Sequence, residues 1–152
     1  MIVCRSAAEI EKLARVNALV ARVLKELAAA VRPGITTADL DAIAEQRLRE
    51  AGAEPAFKGY HGYPATICAS VNEQVVHGIP NDRPMLEGDI VSIDMGAKLD
   101  GFYGDSAVTV PVGAVASALG MPAAQLQSMA AKTLGGETAL PRGARPKNEA
   151  QA

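Results

Sequence analysis

The stretch 89–110, DIVSIDMGAKLDGFYGDSAVTV, decides the fold. Ile90, Val91, Ile93, Val108 and Val110 carry the β-branched bias of strands, and Lys98-Leu99-Asp100-Gly101 is a turn signal between the two runs. If Asp100-Gly101 is a two-residue loop, Leu99 faces Phe102 and Asp94 faces Ala107. Asp105 then lies two residues along on the same face, and its Cβ is a diagonal neighbour of that of Asp94, roughly 7–8 Å away or a little less. Two carboxylates so placed can converge on one cation or bracket a pair of cations about 3.5–4 Å apart. A longer turn or a bulge changes this register and separates them.

An aspartate in a hairpin is ordinarily solvated. Two details here point elsewhere. Asp94 interrupts the apolar run Ile90-Val91-Ser92-Ile93, and a buried strand does not tolerate an unpaired carboxylate. Asp105 follows Gly104, with Gly96 across the strand pair, so small residues are expected to leave open space around both side chains.

Composition narrows the class. The 152 residues are 49% hydrophobic, which suits one globular core, and a formal charge of −2 with no basic block and few aromatics excludes nucleic acid as the expected partner. The opening MIVCRSAAEIEKLARV has no uncharged apolar run of about 7–15 residues, and no stretch reaches the ~18 apolar residues of a membrane span. Cys4 and Cys68 are two thiols without an export signal, so the expected location is the cytoplasm, away from membranes.

Upstream of the hairpin, Ser6-Ala7-Ala8-Glu9 is a capping box, followed by Ile10, Leu13, Val16, Val20, Leu24, Leu27 and Val31 at helical spacing until Pro33-Gly34. Thr36 or Thr37 caps a second helix carrying Leu40, Ile43 and Leu48, stopped by Gly52. Helices before a hairpin predict an α/β (α+β) domain, two helices packed on an antiparallel sheet.

Between them, Tyr60-His61-Gly62-Tyr63-Pro64 forms a loop before a strand from Ala65 to Val71, and Asn72-Glu73 leads to Val75-Val76-His77-Gly78-Ile79-Pro80. Every aromatic and both histidines fall between residues 57 and 103. Phe57 reads as core. Tyr60 and Tyr63 suit a pocket wall or a surface loop, and His77 suits either a substrate-facing donor or a group that holds its loop.

YHGYPATICASVNEQVVHGIP (60–80) followed by LEGDIVSIDMGAKLDGFYGDSAVTVPVG (86–113) resembles the first half of type I methionine aminopeptidases, with similarity from about residue 6 to residue 113. The resemblance implies half of a pita-bread fold closing on a dinuclear metal site, and removal of initiator methionine from nascent protein N-termini. It implies Asp94 as the bidentate ligand of one metal, Asp105 as the bridge, and His77 as the catalytic histidine near the scissile amide. Tyr60, His61, Tyr63 and Cys68 resemble residues of the methionine side-chain pocket, where aromatic rings and a polarisable thiol suit a thioether. Carboxylate-rich ligation fits Mn, Fe, Co or Zn without choosing among them.

The resemblance implies a second half carrying further His and Glu ligands. Residues 113–152 contain no His, Asp or aromatic, and Glu137 and Glu149 are their only carboxylic acids. The expected organisation is therefore 1–112 as an N-terminal half-domain and 113–152 as a divergent tail of an interrupted frame, helical within 114–134 and then disordered. Such a chain is expected to bind metal weakly and to be inactive alone. A non-catalytic peptide- or partner-binding relative is the alternative, as is a half-domain that self-associates through an uncovered sheet face, taken to carry Ile67, Ala69, Val71, Val91, Ile93 and Val108 on both sides of the sheet.

Overall fold

A computed structural model of the protein describes residues 4–114. Helix α1 spans Ala7–Ala30 and helix α2 Thr37–Glu50, followed by strands β1 (Glu54–Pro55), β2 (Ile67–Val71), β3 (Ile90–Leu99) and β4 (Phe102–Pro111). A short 3-10 turn, Tyr60–Gly62, precedes β2. Among the described residues no helix is long and apolar enough to cross a membrane.

Both helices start where their capping chemistry directs. The Ser6 hydroxyl accepts the Glu9 N–H at 3.3 Å while the Glu9 carboxylate accepts the Ser6 N–H at 2.8 Å. Thr36 is the cap of α2: its hydroxyl accepts the Asp39 N–H at 3.0 Å, and Asp39 accepts the Thr36 N–H at 3.0 Å. Thr36→Ala removes this box and is expected to cost about 1 kcal/mol, read as a lower urea midpoint with an unchanged slope.

β3 is the central strand. β4 runs antiparallel along one edge, and β2 followed by the short β1 line the other. The hairpin closes through Asp100 (φ 51) and Gly101 (φ 80), the two positive φ angles that a type I′ loop requires. Leu99 pairs with Phe102, Asp94 with Ala107 and Gly96 with Asp105, the register read from the two-residue loop.

Strand alternation then sorts the side chains. Ile67 and Ala69 from β2 and Val91, Ile93, Met95 and Ala97 from β3 enter one core with Val16, Val20, Val23 and Leu27 of α1 and Leu40 and Leu48 of α2. Val71, Val108 and Val110 pack against it. This corrects the expectation of apolar residues on both faces: the six residues named for it all lie on the helix-covered face. The opposite face carries Cys68 and Ser70 on β2 and Ser92, Asp94 and Gly96 on β3. Across β4 it continues as Tyr103, Asp105, Ala107 and Thr109. Ser92 and Thr109 hydroxyls meet across it at 2.7 Å.

The glycines flanking the aspartates are also not open space. A Cβ on Gly104 would lie 3.1 Å from the Asn17 nitrogen, so α1 rests on the β4 backbone there. A Cβ on Gly96 would lie 2.6 Å from the Phe57 ring. The divergent tail and its expected helix lie outside the described residues from 115 onward; Ala114 donates its N–H to the Glu87 carboxylate at 2.9 Å.

Candidate active site

Asp94 occupies the sheet face turned away from the helices, half-buried, with Cys68 directly across on β2 and Ala107 across on β4. Asp105, one pleat along on β4, faces Gly96 and is exposed. Register alone thus brings both carboxylates and the thiol to one spot. Burial, then the neighbouring Asp105 charge and a hydrogen bond with it, push the Asp94 carboxyl above its ordinary value of 3.8, while His77 pulls it back down.

Two loops complete the surroundings. Tyr60, His61, Tyr63, Cys68, His77, Asp94 and Asp105 all line a single cleft of about 610 Å³. Every residue singled out in the sequence is therefore brought together. Phe57 and Ile79 also line it, and both were missed: Phe57 was read as core, yet its ring seats on Gly96. A glycine inside a strand marks such close approaches, and Gly96 was the available signal.

The two histidines sit in an uncommon backbone state. His61 has φ 46 and His77 φ 58, a region few non-glycine residues adopt and one held only where neighbours enforce it. The His61 ring meets Tyr60 edge-on at 4.4 Å between centroids. The Tyr63 hydroxyl lies 2.9 Å from the Ile67 carbonyl and 3.1 Å from the Gly78 carbonyl. Burial raises both the Tyr63 phenol and the Cys68 thiol above their ordinary values, so each stays protonated at neutral pH.

A wider depression of about 850 Å³ lies between the ends of α1 and α2, but it gathers no reactive group: Arg47 there is already paired with Glu26 at 2.7 Å and Glu50 at 2.9 Å.

The carboxylate pair fits a divalent cation. Two hard oxygen donors are diagonal neighbours on one sheet face, and a cation relieves both the burial of the Asp94 charge and its repulsion by Asp105. The described residues hold no group of three or more His, Cys, Asp or Glu arranged for a metal, so they supply part of a ligand set.

The raised Asp94 value has a testable sign. Between the ordinary carboxylate range and that raised value, the native state binds more protons than the unfolded chain. The stability contributed here is greatest in acid, and it falls as pH rises through that window. The carboxylates of Glu9 and Asp39, held low by hydrogen bonds from Ser6 and Thr36, act in the opposite sense and cancel in a comparison of two variants. Asp94→Asn should therefore gain stability relative to the parent as metal-free samples are taken from acid to neutral pH, read by urea unfolding.

Comparison with known proteins gives the family. The chain matches metallopeptidase family M24 over residues 11–148. It is 54% identical over 115 residues to methionine aminopeptidase 1 of Mycobacterium tuberculosis, covering 75% of this chain and 43% of the relative. It is 50% identical over 113 residues to methionine aminopeptidase 1 of Bacillus subtilis, covering 74% and 46%. The crystal structure of methionine aminopeptidase from Rickettsia prowazekii superposes with a TM-score of 0.75 at 38% identity, over 79% of this chain and 48% of that one. The chain thus spans about half the length of the relatives it matches, and two helices on an antiparallel sheet form the N-terminal half of the pita-bread fold. By this match and these relatives, the chain belongs to metallopeptidase family M24.

Proposed function

We propose that this chain carries one half of a methionine aminopeptidase site, in which Asp94 and Asp105 hold divalent metal. The carrying observation is the convergence of Asp94 and Asp105 with His77 on one cleft, together with the relatedness to methionine aminopeptidases. In this reading Asp94 and Asp105 are the metal-holding carboxylates. When bound, the metal polarises the peptide carbonyl and acidifies a water.

The chain's own groups do the rest. His77, exposed at the mouth of the cleft, offers an N–H toward the substrate amide. Tyr60 and His61 form an edge-on aromatic wall, and the Tyr63 ring and the protonated Cys68 thiol complete a surface suited to a thioether side chain. The substrate is then a protein N-terminus beginning with methionine. Which of Mn, Fe, Co or Zn is used does not follow from two carboxylates.

The 152-residue chain is proposed to be inactive by itself, since its described residues hold only part of a ligand set. That same observation favours the second reading, a non-catalytic relative that binds peptide through the cleft.

Methionine release from a short Met-initiated peptide, with Mn or Co present, separates the two. The expected result is no release by the chain alone, and metal-dependent release on co-expression with the part of the Bacillus subtilis relative that this chain does not cover. Release should be lost again in Asp94→Asn. A folded, co-purifying complex with no activity would favour the peptide-binding reading.

A further inference from the structure

Among the described residues β2 is an edge strand, and its outward backbone groups have no further strand to pair with. Several of them instead meet partners outside the sheet. The Ile67 N–H donates to the Asp41 carboxylate at 2.9 Å, and the Val71 N–H donates to the Gln74 side-chain carbonyl at 2.9 Å. The Ala69 N–H donates to the Gly78 carbonyl at 2.9 Å. The Ile67 carbonyl accepts from the Tyr63 hydroxyl at 2.9 Å.

Among these partners the Tyr63 hydroxyl reaches two segments. Its single proton is shared between Ile67 on the strand and, at 3.1 Å, the carbonyl of Gly78 in the loop that carries His77. Gly78 is pressed onto the strand at that point. Its N–H donates to the buried Ser70 hydroxyl at 3.1 Å, and a Cβ placed on it would lie 2.3 Å from the Ala69 carbonyl oxygen. His77 immediately precedes it, in a left-handed conformation (φ 58) that few non-glycine residues adopt.

We propose that the Tyr63 hydroxyl is a positioning group which, by bridging Ile67 and Gly78, sets His77 over the Asp94–Asp105 pair. The consequence for His77 rests on the function proposed above; the clamp itself does not. The phenol proton is therefore committed to two backbone carbonyls, and the hydroxyl has none to donate to a ligand. Ser70 is the second anchor of the same clamp, gripping Gly78 by its N–H.

Tyr63→Phe keeps the ring and removes only the bridge. In the 152-residue chain, hydrogen exchange should then quicken at the Ala69 amide by about tenfold, the scale of one weakened hydrogen bond, while the ladder amides of β3 and β4 keep their rates. A second readout uses Mn(II) as a paramagnetic probe. In the parent it should broaden the His77 ring protons together with resonances around Asp94 and Asp105. In Tyr63→Phe the His77 broadening should fall several-fold while the strand resonances broaden as before.

Ser70→Ala should give the same pattern, and Gly78→Ala, for which there is no room, a larger one. An Ala69 exchange rate unchanged in Tyr63→Phe, or His77 broadening equal in the two proteins, would overturn the proposal. If Mn(II) broadens nothing in either protein, the metal reading fails, and the Ala69 exchange rate still decides the role of Tyr63.

Discussion

Ile93→Ala should remove about 2–5 kcal/mol of stability, the cost of emptying a fully buried β-branched site that its surroundings refill only in part. Against the roughly 5–15 kcal/mol of an ordinary domain this is a large fraction, enough to leave the variant partly unfolded near physiological temperature. Ile93 is completely buried, sits on the central strand, and pairs with Val108 on one side and Ala69 on the other beneath α1. One residue away, Ser92 faces the other side of the sheet, where its hydroxyl meets Thr109 at 2.7 Å. Ser92→Ala should cost about 1 kcal/mol at most, one partly exposed hydrogen bond. Urea unfolding of both variants measures the asymmetry of the sheet. Equal losses would mean that both faces are buried, contrary to the single apolar face described here.

That asymmetry was available in the sequence once the hairpin register was known. With Leu99 opposite Phe102, odd positions on β3 pair with even positions on β4, so Val91 and Ile93 share a face with Val110 and Val108. The two-face expectation counted apolar residues without applying that register and the period-2 alternation of each strand. The turn itself was legible because Asp-Gly is among the few dipeptides that accept positive φ at both central positions. The helices were legible for a similar local reason: Ser6–Glu9 and Thr36–Asp39 satisfy their first-turn N–H groups by side chains three residues apart. Only Ile10 departs from the expected apolar stripe of α1, remaining 57% exposed in its first turn.

Within the cleft, the residues with chemical identity were legible and their supports were not. Asp94, Asp105, His77 and the 60–63 aromatics stand out by type and by clustering. Phe57 reads as core until Gly96, some forty residues later, is seen to be its seat. The left-handed backbone at His61 and His77 carries only a weak sequence signal: histidine is enriched among the few non-glycine residues found there, but most histidines do not adopt it. At His77 it stands next to contacts distant in the chain, Gly78 against Ala69 and the Tyr63 hydroxyl against Gly78.

Asp94 and Asp105, if they hold metal as part of a larger ligand set, should do so weakly in this chain. These two carboxylates are diagonal neighbours on the hairpin and the only ones lining the cleft among the described residues, which hold no group of three ligands, so water would fill the remaining coordination positions. Calorimetric titration of the 152-residue chain with Mn(II) should show weak binding, unsaturated at micromolar metal and abolished in Asp94→Asn and in Asp105→Asn alike. Submicromolar affinity would mean that the chain already holds a full ligand set, and binding that survives both substitutions would place the metal elsewhere; either result would contradict the account.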